Sequence, residues 1–166
     1  WRQLSPRASV SYAVGPGWSV SGSAGLYCQL PPYTALGFKE EDALVNRSLD
    51  YMRVGVFSAG VDWRLRDRLI VSVEGFYKRY GDVPLSVADG IPLSCKGNDY
   101  GVVGNEKLVS SAQGRAYGVE AMARWQIPGR VNVVGSVTVF RSEYRNDRQA
   151  PWIASAWDNR FVVNVS

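Results

Sequence analysis

The chain has 166 residues, enough for one ordinary domain. It is 46% hydrophobic and 20% charged, and since no apolar run approaches the roughly 20 residues of a spanning helix, helical insertion into a membrane is excluded. The formal charge of +4 comes from scattered Lys and Arg residues. That pattern favours ordinary surface charge and excludes a clustered nucleic-acid site.

Seven extended runs, in which apolar and polar residues alternate, follow one another along the chain. In residues 54–65, for example, Phe57 and Trp63 alternate with Ser58 and Asp62. Side chains of a strand point to opposite sides of its sheet, so the pattern predicts strands with one apolar and one mostly polar face. Runs of about eleven residues suit a tilted strand that crosses a bilayer. The predicted strands are residues 4–14, 18–27, 54–65, 69–80, 115–126, 130–142 and 159–166.

The connections between these runs alternate strictly between short and long. Successive connections of an up-and-down sheet lie at opposite ends of the strands, so all the short turns share one end. Outer-membrane barrels have this asymmetry. Within the long loops we expect a short helical turn at residues 39–44 and small hairpins formed by short extended pieces such as residues 85–87. The predicted tight turns are Gly15-Pro16-Gly17, Arg66-Asp67-Arg68 and Pro128-Gly129, and the predicted loops are residues 28–53, 81–114 and 143–157.

Aromatic residues of the apolar face fall at two heights. One set lies beside the short turns and a second lies toward the long loops. Two aromatic belts around an aliphatic band are what a lipid-facing barrel wall requires, because amphipathic rings favour the membrane interface. The alternative is that the tryptophans fill a soluble core near the turns. The predicted interface residues are Trp18, Trp63 and Trp125 at the turn end, and Tyr77, Tyr117 and Phe161 at the loop end.

The opposite face carries the ionisable side chains of the strands. Such groups would cost about 2–4 kcal/mol each at the centre of a lipid face, so they are expected to line a wet or plugged lumen. We expect Glu74 and Glu120 to pair there with basic side chains rather than to form a catalytic carboxylate pair. Apolar residues such as Phe76 and Phe140 share this face and favour a plugged lumen over an open pore. The basic candidates are Arg64, Lys78 and Arg124.

Residues that carry chemistry are scarce. Histidine is absent, which excludes histidine-dependent nucleophilic catalysis and an imidazole base in this segment. We therefore expect no enzyme, no cofactor and no metal site. An oxidising compartment would permit a disulfide between Cys28 and Cys95, and the alternative is two unrelated loop cysteines.

Four short motifs, in this order and spacing, resemble TonB-dependent outer-membrane receptors, in the style seen in Bacteroidetes. The resemblance is to the later part of the barrel and covers nearly the whole chain. It implies a 22-stranded barrel with an N-terminal plug, which binds scarce ligands from outside (a siderophore, cobalamin, haem or a glycan). It also implies energy from the TonB–ExbB–ExbD complex through the plug. The motifs are Gln29-Leu30-Pro31-Pro32-Tyr33, Glu74-Gly75-Phe76-Tyr77-Lys78, Gly114-Arg115-Ala116-Tyr117-Gly118-Val119-Glu120 and Ser155-Ala156-Trp157-Asp158-Asn159-Arg160.

The sequence departs from a whole receptor in having no plug, no TonB-contacting segment and too few strands to close a barrel. It also opens without the cationic start and apolar core of a signal peptide. We therefore expect residues 1–166 to be part of a receptor β-barrel domain whose plug and remaining strands are absent from this segment.

The sequence thus predicts an all-β fold, an antiparallel up-and-down segment of a transmembrane β-barrel in the bacterial outer membrane. Its expected partners are outer-membrane lipid, the plug, the TonB complex and a small-molecule or glycan ligand. The alternatives are an unplugged porin-like barrel and a soluble β-sandwich binding module. The loops and upper lumen offer stacking and hydrogen-bonding side chains for a ligand: Gln29, Tyr33, Tyr80, Asp99, Tyr100 and Arg115.

Overall fold

The computed structural model describes residues 4–65, 68–96, 102–127 and 131–166. In chain order its elements are β1 (Arg7–Gly15), β2 (Trp18–Gln29), α1 (Tyr33–Leu36), β3 (Lys39–Glu40), β4 (Ala43–Leu44), β5 (Met52–Leu65), β6 (Leu69–Ser86), a 3-10 helix (Leu93–Cys95), β7 (Leu108–Ile127), β8 (Val131–Arg145), β9 (Ile153–Ala154) and β10 (Phe161–Val165). None of the helices in these ranges has the length and apolarity needed to span a membrane.

The long strands form one antiparallel sheet in which chain order is also spatial order. The path is β1-β2-β5-β6-β7-β8-β10, with β9 paired to β8 and β3 paired only to β4. The register keeps the apolar positions of all seven strands on one face. Because the side-chain period of a strand is two, this shared register confirms the alternation predicted from sequence. One row across the sheet reads Tyr12, Val20, Val61, Val73, Ala121, Val137 and Val163.

The sheet has a single layer. The strong contacts between elements join neighbouring strands, and the 3-10 helix adds contacts to β6 at one end. Large apolar side chains along the strands are exposed rather than covered, including Val10, Phe57 and Val139. A β-sandwich would bury such a face against a second sheet. The tryptophans therefore do not fill a soluble core.

The buried core lies in the loops. Ala35, Leu93 and Leu108 pack together, with Leu49 and Val103 against them. These residues come from the loop between β2 and β5, from the loop between β6 and β7 and, at Leu108, from the first residue of β7. The loops at this end therefore fold as a packed unit rather than as separate excursions.

One prediction about the loops was wrong. Residues 39–44 form a two-residue hairpin, since Lys39–Glu40 pairs with Ala43–Leu44 around Glu41 and Asp42, which both have positive φ. The helical turn occurs earlier, at Tyr33–Leu36.

The strands β6 and β7 also extend beyond the predicted ends. They remain paired as far as Ser86 and Leu108. Leu85 also forms an isolated antiparallel bridge with Pro92, so a small hairpin does form at this predicted extended piece. A register shift between Tyr80 and Val83 admits the extra residue, with Asp82 at positive φ. Such a bulge lets a strand continue past residues that read as turn signals.

One tight turn can be described in full. Gly17 has φ +75, and a Cβ there would collide with the backbone carbonyl oxygen of Arg64. Only glycine fits both conditions without strain. The centres of the other two predicted turns, Arg66-Asp67 and Pro128-Gly129, lie outside the described residues.

Candidate functional site

The predicted aromatic positions form two rows on the exposed face of the sheet. Trp18 lies directly opposite Trp63, with ring centroids 5.7 Å apart. Tyr77 lies opposite Tyr117 at 6.4 Å between centroids. Trp18 is 45% exposed, as expected for a side chain with no second protein layer over it.

The two remaining aromatics lie slightly off these rows, and both are displaced in the same sense. Trp125 pairs with Leu69 rather than with Val71 of the Trp63 row, which is two residues nearer the short turns. Phe161 pairs with Val139, again two residues nearer the short turns than the Tyr117 row. The strands of a membrane barrel are tilted by about 40°. Residues at the same height in the membrane therefore shift along the strands from one strand to the next, away from the directly paired positions.

The spacing between the rows matches a membrane band. Tyr117 and Trp125 are both on β7, eight residues apart, which corresponds to about 26 Å along a strand. At a tilt of about 40° the height difference is about 20 Å, close to the ~25 Å apolar band of outer-membrane barrels. The side chains between them on the same face are Val119, Ala121 and Ala123.

The inner face carries a pair of carboxylates that the wall itself does not neutralise. Glu74 lies directly opposite Glu120, and Glu120 accepts a hydrogen bond of 3.3 Å from the Thr138 hydroxyl. Among the described residues, neither carboxylate forms an ion pair with Arg64, Lys78 or Arg124. The expected pairing within the wall is therefore wrong. Like charges directly opposite on a sheet repel, and both carboxylates are exposed on this face.

A cavity of about 400 Å³ lies at the loop end of the inner face. The 3-10 helix and the loop between β8 and β10 cover it with Cys95, Ser155 and Trp157. Trp157 Nε1 donates a hydrogen bond of 2.8 Å to the Ser94 carbonyl oxygen, which joins the two covering segments. The wall of the cavity comes from five strands. Its inward positions are Gln29, Met52, Val54, Tyr80, Gly114, Ser142 and Tyr144, and outward positions at its edge are Arg53, Gln113, Arg115 and Glu143.

The structure brings only some of the predicted ligand residues together. Gln29 and Tyr80 both line the cavity. Tyr33 is elsewhere, on α1, and is 83% exposed. Asp99 and Tyr100 lie outside the described residues.

Arg115 borders the cavity, but it occupies an outward position, two residues from Tyr117 on the same strand face. Its Nε donates to Glu143 at 2.7 Å, and its guanidinium lies 4.3 Å from the ring centroid of Trp152. Both contacts hold the side chain at the outer rim. The register thus places Arg115 at the edge of the cavity rather than on its inward-facing wall.

The two cysteines lie on different sides of the sheet. Cys28 occupies an outward position opposite Arg53, whereas Cys95 lies in the 3-10 helix that covers the inner cavity. Both are free thiols, so the disulfide that the sequence permits is not formed in this structure. Burial raises the pKa of the Cys95 thiol above its usual range.

One fully buried side chain, Asn46, ties the loops above the cavity together. Its Nδ2 donates to the carbonyl oxygens of Ala35 at 2.9 Å and Glu106 at 2.7 Å. Its Oδ1 accepts from the backbone N–H of Leu108 at 2.9 Å. Sequence reasoning missed Asn46, since a lone polar residue in a loop carries no periodic signal.

A cluster of charges holds the upper end of the second loop. Lys96 Nζ lies 2.6 Å from both Asp89 and Glu106, and Glu106 also accepts a hydrogen bond from Ser86 Oγ. The hydrogen bond from Lys96 holds the pKa of the Asp89 carboxyl below its usual range. Burial acts to lower the pKa of Lys96, but its hydrogen bonds to the two carboxylates outweigh burial and raise it.

A one-layer antiparallel sheet with an aromatic-bounded apolar face, a charged inner face and packed loops at one end has the features of an outer-membrane barrel wall. Comparison with known proteins agrees. A profile of the family described as "TonB dependent receptor-like, beta-barrel" matches residues 1–164. The chain belongs to this family, whose barrels lie in the outer membrane.

Solved structures of such receptors share the fold. The alcaligin outer-membrane receptor FauA of Bordetella pertussis superimposes with a TM-score of 0.62 at 19% identity, over 98% of this chain and 25% of that chain. The ferric-catecholate import receptor Fiu of Escherichia coli K12 gives 0.67 at 14% identity, over 96% and 21%. The FrpB iron transporter of Neisseria meningitidis gives 0.62 at 13% identity, over 98% and 23%.

The chain therefore spans about a quarter of the length of these receptors. A search of curated protein sequences found no match to it.

Proposed function

We propose that this chain is a wall segment of a transporter that takes up a scarce ligand across the outer membrane in a TonB-dependent manner. The observation that carries the proposal is the covered cavity on the inner face. Its walls combine apolar side chains with the hydroxyls of Tyr80, Ser142 and Tyr144, a mixture typical of small-molecule sites. A barrel wall of this kind supports transport rather than catalysis.

The remaining barrel strands and a plug belong to the proposal. The edge strands β1 and β10 each have a paired neighbour on one side only, and lipid does not tolerate an open sheet edge. Further strands of the same receptor would cover both edges. The relatives that share the fold are about four times as long as the matched region.

The carboxylate pair on the inner face supports a plug. Glu74 and Glu120 oppose each other without a cation from the wall, so a basic group that enters from the lumen would relieve their repulsion. A plug domain inside the barrel can supply that group. An unplugged porin would leave the pair to water.

The proposed role of the aromatic rows is to mark the two membrane interfaces. Their separation and exposure support this role, and the aliphatic side chains between them would contact lipid tails.

A ferric siderophore is the first ligand to test. The names of three structural neighbours refer to an alcaligin receptor, a ferric-catecholate receptor and an iron transporter. These names describe those proteins, and their identity to this chain is too low to transfer a ligand. Cobalamin, haem and glycans are the other classes to include.

The test uses the full-length receptor that contains this chain, in a bacterial host without its own ferric-catecholate receptors. We expect uptake of iron supplied as a ferric catecholate, and we expect this uptake to stop when TonB is removed. Tyr80→Ala should weaken uptake at low ligand concentration, whereas Tyr33→Ala tests the exposed loop instead. Uptake that needs no TonB and also admits unrelated solutes would contradict the proposal in favour of a porin. Loss with Tyr33→Ala but not with Tyr80→Ala would overturn the assignment of the cavity.

A further inference from the structure

The charged residues of the ligand cavity lie only at its edge, and each positive charge there has a carboxylate partner. Arg115 Nε lies 2.7 Å from a carboxylate oxygen of Glu143. Arg53 Nε lies 3.5 Å from a carboxylate oxygen of Asp82. In the part of the chain that the structure describes, the inward positions of the lining carry no charge. The lining therefore offers an anionic ligand no unpaired cation.

Two lysines near the cavity do not change this balance. Lys96 adjoins the cavity, but its Nζ lies 2.6 Å from both Asp89 and Glu106. Lys78 is also on the inner face, with its Nζ 5.5 Å from the ring centroid of Phe76. Neither lysine is part of the cavity lining. An anionic metal chelate that entered the cavity would lose its hydration without gaining an ion pair, and that exchange is unfavourable.

The inward wall instead carries neutral hydrogen-bonding groups. These are the hydroxyls of Tyr80 and Tyr144 and the side-chain amide of Gln29, and each of them can both donate and accept. None of the three forms a side-chain hydrogen bond with another described residue. A sugar hydroxyl also donates and accepts, whereas an ionised carboxylate only accepts. The wall therefore complements hydroxyl groups better than anions.

Aromatic rings bound the cavity at its wall and at its cover. Tyr80, Gly114 and Tyr144 lie in one row on three neighbouring strands. A Cβ at Gly114 would lie 3.3 Å from the Tyr80 ring, so the lack of a side chain at Gly114 lets that ring lie against the strand. Trp157 covers the cavity from the loop side, where its hydrogen bond to the Ser94 carbonyl oxygen holds it. Such rings pack well against a flat, weakly polar face.

We infer that the cavity binds an uncharged sugar ring of the transported ligand. The two faces of a sugar ring are largely C–H and pack on aromatic rings, while its hydroxyls meet Tyr80, Tyr144 and Gln29. The cavity of about 400 Å³ is near the small end of the range for small-molecule sites, about 300–1,000 Å³. It therefore suits the end of a larger ligand. The inference rests on the proposed function only in that the cavity takes the transported ligand.

Two kinds of ligand supply such a ring. One is a neutral glycan that inserts its terminal sugar. The other is a ferric chelate that carries a sugar substituent, in which case the charged chelate stays outside the cavity. The recognised chemistry is the same in both, so the probes of the test must separate the two sources.

The test uses Cys95 of the full-length receptor in detergent as a reporter, because its side chain lines the cavity. Mass spectrometry of the peptide that contains Cys95 gives the rate at which a maleimide labels it. Labelling is done at mildly alkaline pH, since burial raises the pKa of this thiol. The probes are short neutral oligomers of glucose, galactose, mannose and xylose, a ferric catechol chelate with glucose substituents, and the same chelate without them.

We expect a sugar-bearing probe to slow the labelling of Cys95 and the unsubstituted chelate to leave it unchanged. Protection by an oligomer assigns the ring to a glycan. Protection by the glucosylated chelate alone assigns it to a chelate substituent. Added salt should not weaken the protection, because the bound ring forms no ion pair.

Tyr80→Phe removes one hydroxyl and keeps the aromatic ring. It should lower the affinity for the protecting sugar about fivefold, as expected for the loss of one neutral hydrogen bond. Tyr33→Phe is the matched control, because it makes the same change on the exposed face of α1. The control should leave the affinity unchanged.

The inference is overturned if no sugar-bearing probe protects Cys95, if the two chelates protect it equally, or if both tyrosine variants lose the same affinity. When the same receptor still takes up its ligand in a TonB-dependent manner, such a result contradicts the sugar assignment alone. Uptake that does not depend on TonB contradicts the proposed function instead.

Discussion

Replacement of Asn46 by alanine should open the packed loops while leaving the sheet intact. The side chain is fully buried and makes three hydrogen bonds to backbone atoms of two other segments, one at Ala35 and one at Glu106 and Leu108. Alanine would leave two carbonyl oxygens and one N–H without partners. A buried polar group that loses its partner costs about 1–3 kcal/mol.

The three losses do not add in full, because the opened loop admits water to the exposed groups. We therefore expect a loss of about 3 kcal/mol in the local stability of the loop unit. That value corresponds to roughly a 100-fold rise in the population of the locally open state. The strands should be unaffected, since Asn46 makes none of the hydrogen bonds between the long strands.

Hydrogen exchange of the full-length receptor in detergent, read by mass spectrometry, measures this change. Peptides covering residues 33–49 and 102–108 should exchange about 100-fold faster in Asn46→Ala, while peptides from β5 keep their protection. Asn105→Ala makes the same chemical change at an exposed neighbouring loop position and should alter nothing. Unchanged exchange in Asn46→Ala, or equal effects in both variants, would refute the role assigned to Asn46.

Two further predictions concern charged groups. Glu74→Gln in the full-length receptor should reduce the repulsion with Glu120 and weaken the contact with a basic plug group, so ion leakage through planar bilayers should rise. Glu41→Gln on an exposed loop is its control, and equal leakage in both would contradict the plug contact. The stability that the Asp89–Lys96 pair contributes to the loops depends on pH, because the folded-state pKa of Asp89 is lowered. Protease protection of the loops should therefore be constant above the ordinary Asp pKa of about 4 and fall as pH drops through the lowered value. Protection that is already lost near neutral pH would contradict this.

The strands could be predicted because one physical constraint acts on every second residue. Val61 and Val73 face one side, while Asp62 and Ser72 face the other, so the alternation alone gives both the strand and its orientation. The height of Trp63 and Tyr117 also follows from sequence, since each lies at a fixed number of residues from a recognisable turn. The same periodic constraint explains why the order of the sheet is the order of the chain.

The upper ends of the strands could not be predicted in the same way. Gly81 and Pro84 read as turn signals, yet a bulge at Tyr80–Val83 carries β6 past them. The residues that organise the loops act through single contacts between distant segments. Asn46 forms hydrogen bonds with Glu106 and Leu108, about sixty residues away in sequence. No local sequence pattern predicts such a distant partner.

The parity of a residue near a strand end decides which face of the sheet it occupies and is easily misjudged. Arg115 was expected among the ligand residues of the loops and upper lumen, and it borders the cavity from a position with the same outward parity as Tyr117. Tyr80 has the opposite parity and reaches the cavity. Extending the alternation of β7 by two residues beyond Tyr117 would have placed Arg115 correctly.

The most direct test of the account asks what covers the face that carries Trp63. In the full-length receptor reconstituted in vesicles, with Cys28 and Cys95 replaced by serine, single nitroxide labels at Val73→Cys and Ser72→Cys report their surroundings. We predict that the label at position 73 collides with membrane-dissolved oxygen and is shielded from a water-soluble nickel chelate. The label at position 72 should show neither the same oxygen exposure nor the same depth. Equal accessibility at the two positions, or access of the chelate to position 73, would contradict the claim that this face meets lipid.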